Sequence, residues 1–304
     1  MTAPDGPLAR VLEQAGGAEV LDVLAERLAG ADLTTLLLEV QRRRAERLTP
    51  TTVLRSYERD RFVAPGTIDL QSLREAEDLL LSALPDTFDR VVLAPLLPLG
   101  AHSALSTVPQ NNLVSTIRGT EVAADPTAGL ALEAAARRRR SDAEVRLASV
   151  QRVTRAQRFE GPTSFPHFTI VGLVSAGRAS RNRSFERNAA IEHVRFHVAA
   201  LANAGADRLE VRVSDLSDDE RDAPIIAAVH DAIDAPVIDA PERQHGRGYY
   251  PGFCFRVDAE IGGVVVEASD GGFVDWTQQL VANSKERLLI SGIGVDRVAI
   301  ARRG

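Results

Sequence analysis

Cysteine and lysine are almost missing from this chain, whose 304 residues include one of each, Cys254 and Lys285. A lone thiol excludes an internal disulfide and suits a reducing cytoplasm. With one lysine among 36 basic residues, neither a lysine nucleophile nor a lysine phosphate clamp is expected. No apolar run approaches the roughly 20 residues of a membrane-spanning helix. Met1-Thr2-Ala3-Pro4-Asp5-Gly6 shows no basic stretch leading into an apolar one, so no secretory signal is expected and the expected location is the cytoplasm. The chain also lacks a P-loop, a Gly-x-Gly-x-x-Gly turn after a strand and a Gly-x-Ser-x-Gly elbow. Those absences remove common nucleotide-binding signatures and Ser-His-Asp hydrolysis.

What is present is ordinary in bulk. At 44% hydrophobic and 26% charged, the sequence can bury a sizeable core. A net charge of −6 argues against broad nucleic-acid binding. Arg42-Arg43-Arg44 and Arg137-Arg138-Arg139-Arg140 read as solvated helix ends, where cations complement the dipole. Residues 1–68 are expected to form an N-terminal helical extension, with helices over 8–28 (broken at Gly16-Gly17), over 33–48 capped by Asp32, and over 51–57 after Pro50. In residues 69–304 a helix over 69–84 leads into strands over 90–93, 145–153, 167–174, 208–213, 253–259 and 263–268. Helices are expected over 128–140, 185–202, 218–233 and 274–282. The last two strands, joined by a short glycine turn, read as a hairpin. The expected fold class is therefore α+β, a mixed, mostly antiparallel sheet flanked by helices.

Six segments carry candidate chemistry. Within 288–300 an apolar strand ends at Gly292-Ile293-Gly294, and Asp296-Arg297 opens a helix. Glycines there let the backbone lie against a ligand, and a guanidinium at the helix base can meet a phosphate or stack on a base. Residues 88–98 read as a strand ending in proline. Asp125-Pro126-Thr127 precedes a helix that either polar side chain can cap. Gln151-Arg152-Val153-Thr154-Arg155-Ala156-Gln157 and Phe165-Pro166-His167-Phe168 read as strands around a loop over 158–164, with Arg155 either a surface arginine or one aimed at an anion. His245-Gly246-Arg247-Gly248-Tyr249-Tyr250-Pro251-Gly252 sets a double tyrosine before a strand, and Gly271-Gly272-Phe273-Val274-Asp275 allows a plain turn before a helix. His193 and His197 have the spacing of a zinc pair but no third ligand, and an ordinary surface or half-buried pair is the preferred reading.

In this order the segments resemble the catalytic core of the class II aminoacyl-tRNA synthetases over residues 69–304. By pattern the resemblance is to histidyl-tRNA synthetase and its paralogue, the regulatory subunit of ATP phosphoribosyltransferase. Residues 88–98 look like motif 1, which implies a homodimer; 151–168 look like motif 2, which implies Arg155 at the α-phosphate. The segment 288–300 looks like motif 3, which implies Arg297 and Gly294 at ATP. The resemblance further implies Asp125, Thr127, Gln157, His245, Tyr249 and Tyr250 around an amino-acid substrate, Gly271 and Gly272 in the nucleotide pocket, and ATP and magnesium as cofactors. The chain departs from the family at Gln157 (a glutamate there), Ser164 (a basic residue), His245 and Phe273 (arginines) and Leu132 (an arginine). Arg243 or Arg247 stands near enough in sequence to substitute for the arginine lost at His245.

Two functions follow. One is ATP-dependent activation of an amino acid or similar small carboxylate as an acyl-adenylate. The alternative is a catalytically inactive paralogue serving as a regulatory or assembly subunit. Only Ala301-Arg302-Arg303-Gly304 follow motif 3, so no anticodon-binding domain and no ordinary tRNA charging are expected. The acyl acceptor would be a carrier protein, another small molecule or a tRNA delivered otherwise.

Overall fold

The computed structural model describes residues 6–157 and 165–303, in two units. The first, residues 6–63 with 115–120, is helical. It contains α1 (Pro7–Ala15), α2 (Glu19–Asp22) running into a π-turn at Val23–Arg27, α3 (Gly30–Ala45) and α4 (Pro50–Arg59). Gly16, at φ 106°, ends α1 in the left-handed region that glycine tolerates. Asp32 does not cap α3 as expected. Ala29 holds the cap position and Asp32 lies in the first turn, where its charge faces the positive end of the dipole. Helix α4 starts behind a capping box in which Thr49 and Thr52 satisfy each other's backbone N–H groups.

The second unit, residues 64–114 and 121–303, holds the sheet. In chain order it comprises α5 (Leu70–Leu81, capped by Asp69), β1 (Asp89–Arg90), β2 (Leu96–Pro98), α6 (Ala101–Leu105), β3 (Thr120–Val122) and α7 (Pro126–Arg138). Then follow β4 (Val145–Thr154), β5 (His167–Arg178), α8 (Ser184–Asn203), β6 (Ala206–Asp215), α9 (Ala223–Ala232) and β7 (Val237–Asp239). The chain finishes with β8 (Phe253–Ile261), β9 (Val264–Val274), α10 (Trp276–Val281), β10 (Glu286–Gly294) and α11 (Val295–Ala301). Eight strands form one sheet in the order β1-β4-β5-β10-β9-β8-β6-β7, with β2 and β3 as a separate pair. The outer pairings β1·β4 and β6·β7 are parallel, and all those between are antiparallel. The expected hairpin is β8–β9, closed by Gly262-Gly263, both at positive φ as a type I′ turn requires.

Strand alternation divides the sheet between two layers. On β10, Leu289 and Ile293 join the core formed with α5, α8, α9 and α11, while Leu288 and Ile290 join the smaller core under α7 and α10. The same split sends Phe253, Phe255 and Val257 of β8 to the first layer and Cys254 to the second.

Three expectations are corrected here. The strand expected over 90–93 pairs in the sheet only at Asp89–Arg90. The helix expected over 218–233 begins at Ala223, because Glu220 has positive φ and the Asp222 N–H is held by the Asp215 carboxylate. Arg138 is not a solvated helix end: its guanidinium is buried against Glu286 with two 2.9 Å hydrogen bonds.

His193 and His197 are fully buried on the inner face of α8 rather than half-exposed. His193 bridges Ser175 Oγ on β5 (2.9 Å) and Ser291 Oγ on β10 (2.7 Å). His197 lies between Phe196 and Phe255, and neither ring nitrogen has a hydrogen-bond partner among the described residues. No group of three or more metal-binding side chains occurs among the described residues. Burial lowers both imidazoles, His197 to about 3, so each stays neutral in the fold while the unfolded chain gains a proton below about 6.5. Stability is therefore complete above that pH and falls on acidification by about 1.4 kcal/mol per pH unit per histidine. In denaturant titrations between pH 6.5 and 4.5, His197→Leu is expected to remove about half of this histidine-linked slope. An unchanged slope would show that His197 is not involved.

Candidate active site

On the α7 side, the middle of β9, the end of β10, the start of β5 and the residues after β4 line a cavity of about 650 Å³, within the size range of small-molecule sites. Its lining includes Arg155 and Arg297, which lie far apart in the second unit's sequence. Arg155 follows β4. Its Nε donates to Ala124 O (2.9 Å), its Nη2 pairs with Asp125 Oδ2 (3.2 Å), and its guanidinium lies 5.0 Å from the centre of the Phe168 ring. Arg297, on the first turn of α11, is exposed and donates to Glu267 O (2.9 Å). The preceding Asp296 is buried and accepts the Thr169 N–H at 2.7 Å, fixing the start of α11 to β5.

Asp125 caps α7, accepting the Thr127 N–H (2.8 Å) and hydroxyl (2.6 Å) on one oxygen while the other faces Arg155. Tyr249 lines the cavity beside Thr127, and its ring stands perpendicular to Tyr250 at 4.8 Å. Burial, reinforced by Asp125, pushes the Tyr249 phenol well above its usual range. Gln157, His245, Arg247 and Gly294 also line the cavity. Ser164 lies outside the described residues.

Gly271 and Gly272 do not line it. They sit within β9, paired with Ser291 and Ile290 of β10, and not in a turn. Their role is to seat two rings across one strand. A Cβ at Gly271 would stand 2.6 Å from the Phe255 ring on one face, and a Cβ at Gly272 would stand 2.6 Å from the Tyr250 ring on the other.

Two groups escaped the sequence reading. Glu121, fully buried, accepts from the backbone of Gly100 (2.8 Å) and His102 (3.0 Å), from His102 Nδ1 (2.7 Å) and from Gln110 (2.8 Å). Burial alone would raise its carboxyl, but these bonds outweigh it and hold the group below its usual value. His102 Nε2 then accepts the Ala124 N–H (3.2 Å), whose carbonyl holds Arg155. The partners lie 19 residues apart and have no local signature. The second group is Asp270, which lines the cavity opposite Gly292, pairs with Arg243 and accepts the Tyr250 hydroxyl at 2.7 Å. An acid set directly before Gly-Gly was its one trace in sequence.

No protein-family model matches the chain, and no curated protein matches it by sequence. Solved structures do. An ATP phosphoribosyltransferase regulatory subunit/histidyl-tRNA synthetase from Bacillus halodurans superimposes with a TM-score of 0.61 at 15% identity, over 80% of this chain and 82% of that one. A histidine–tRNA ligase subunit from Alicyclobacillus acidocaldarius gives 0.60 at 16%, over 80% and 96%. Pyrrolysyl-tRNA synthetase from Desulfitobacterium hafniense gives 0.51 at 17%, over 76% and 70%. The fold is that of the class II aminoacyl-tRNA synthetase catalytic core. Within that class it is similar to the histidyl-tRNA synthetase-like proteins, as its ordered segments imply. No helix among the described residues is long and apolar enough to cross a membrane.

Proposed function

We propose that this protein binds ATP and a small carboxylic acid of the amino-acid class in this cavity and joins them as an acyl-adenylate. The observation that carries the reading is the meeting of Arg155 and Arg297 at a single cavity floored by antiparallel strands. A carboxylate oxygen of the substrate bonds to the α-phosphorus as the bond to the bridging oxygen breaks, and pyrophosphate departs with that electron pair. Arg155, held in advance by Ala124 and Asp125, offsets charge on the α-phosphoryl oxygens. Arg297 meets the outer phosphates or the adenine beside Gly294. Asp125, Thr127, Gln157 and the Tyr249–Tyr250 pair hold the acid, with His245 at the rim.

The mixed polar and apolar lining, with two arginines, and the side-chain-free floor at Gly292 and Gly294 suit a nucleotide. Without a cluster of three metal-binding side chains among the described residues, magnesium would be held chiefly by the phosphates, with Glu267 the acid at the Arg297 end. A homodimer through residues 88–98, a cytoplasmic location and an acceptor other than an ordinarily charged tRNA belong to the same reading.

Exchange of labelled pyrophosphate into ATP, dependent on one added amino acid, is the expected result. No exchange across all the amino acids, together with tight binding to another protein, would replace this reading with a regulatory paralogue.

A further inference from the structure

Asp270 carries an inference that deepens this reading and rests on it. Two residues of β9 separate Asp270 from Glu267, whose carbonyl holds Arg297, so the two ends of that stretch lie at most about 10 Å apart. Tyr249 lines the cavity with Asp125 and stands 4.8 Å from the ring of Tyr250, whose hydroxyl reaches Asp270. Asp270 thus lines the same cavity as the groups that would hold the reacting carboxyl and amine, joined to them through the tyrosine pair. Its cross-strand neighbour Gly292 has no side chain, so the floor beside the carboxylate is open.

The surroundings of that carboxylate define what it can take. Its side chain is 31% exposed, whereas that of its partner Arg243 is 9% exposed and lies outside the cavity lining. Arg243 thus pairs with the carboxylate from outside the cavity lining, while the Asp270 side chain is partly exposed within it. Arg243 and the Tyr250 hydroxyl occupy one direction on each oxygen, and a carboxylate oxygen accepts more than one bond. A cationic side chain would bring a charge that nothing here needs to compensate, and an anionic one would be repelled. An aliphatic side chain would cover the oxygens without a donor, which is costly for a buried acceptor.

We infer that Asp270 selects the substrate, an amino acid whose uncharged side chain donates a hydrogen bond (an amide, hydroxyl or imidazole N–H). The test compares isosteric pairs, threonine with valine, asparagine with leucine and glutamine with methionine, alongside histidine, lysine and glutamate. Pyrophosphate exchange is measured for each, and the thermal shift is measured with each amino acid alone and with ATP alone. In the unmodified protein the best substrate is expected to be uncharged and donor-bearing, preferred over its aliphatic counterpart by about 100-fold or more. Asp270→Asn is expected to reduce that preference. A double Asp270→Leu, Arg243→Met protein, which leaves no buried guanidinium unpaired, is expected to abolish it.

A best substrate that is aliphatic or charged overturns the inference, as does an unaltered ranking in the double variant. ATP that produces neither shift nor exchange defeats the adenylation reading, while a shift from uncharged donor-bearing amino acids alone still upholds selection by Asp270. A protein shifted by no amino acid overturns the assignment of Asp270.

Discussion

An Arg155→Ala protein is expected to lose about 10²–10³-fold in the turnover of pyrophosphate exchange, the scale of removing one preorganised donor from a site of developing charge. Three contacts hold this guanidinium before any ligand arrives: the Ala124 carbonyl, the Asp125 carboxylate and the face of Phe168. The Arg155 and Asp125 side chains are 31% and 30% exposed. Losing the Asp125 pair should cost no more than about 1 kcal/mol of stability. The activity loss would then occur in a protein whose melting temperature is nearly unaltered, and that combination separates chemistry from folding. Arg155→Lys should rescue poorly, because a point-like ammonium cannot keep the two anchors while facing a phosphoryl group. Full exchange in Arg155→Ala would remove Arg155 from the reaction.

The largest stability effect is expected at Glu286. Its carboxylate and Arg138 form a two-pronged pair whose side chains are 3% and 1% exposed. Glu286→Ala strands a buried cation, which typically costs about 3–5 kcal/mol. For a domain of this size each kcal/mol lowers the melting temperature by about 2–4 °C, so a fall on the order of 10 °C is expected. Replacing both partners, Arg138→Met with Glu286→Leu, should recover most of it, because the cost lies in the orphaned charge. Urea titration of the two variants checks this, and a Glu286→Ala protein within about 1 kcal/mol of the parent would mean that the Ala143 carbonyl, which also accepts from Arg138, suffices. Burial alone would raise the Glu286 carboxyl, but the bonds and charge of Arg138 outweigh it and hold it low. Its contribution is therefore present above the ordinary carboxylate range and is lost as the pH falls through the lowered value.

Much of the fold was legible because its signals are local. The helix cap at Asp125, the Gly262-Gly263 turn and the change from alternating to helical spacing at Gly294 are each written within a few residues. β9 was seen only to 268, because Gly271-Gly272 looks like a turn when the rings of Phe255 and Tyr250 that require it are out of view. β7 was missed because three residues paired at an edge leave no period to read. The burial of His193 and His197 escaped for a related reason: α8 buries residues around most of its circumference, so it has no clear polar stripe from which to judge an inward face. The site was half legible. Arg155, Asp125 and Arg297 announce themselves by strand and helix ends, whereas Asp270, Arg243, His102 and Glu121 acquire their meaning from partners far along the chain.

Ser291 and Gly292 are neighbours on one backbone, the first fastened to His193 and the second forming open floor in front of Asp270. Anything that tilts that strand is felt on both sides. Variants chosen for a new substrate should thus turn up in α8 as well as in the cavity walls, and a helix touching no ligand would serve as an adjusting screw for selectivity.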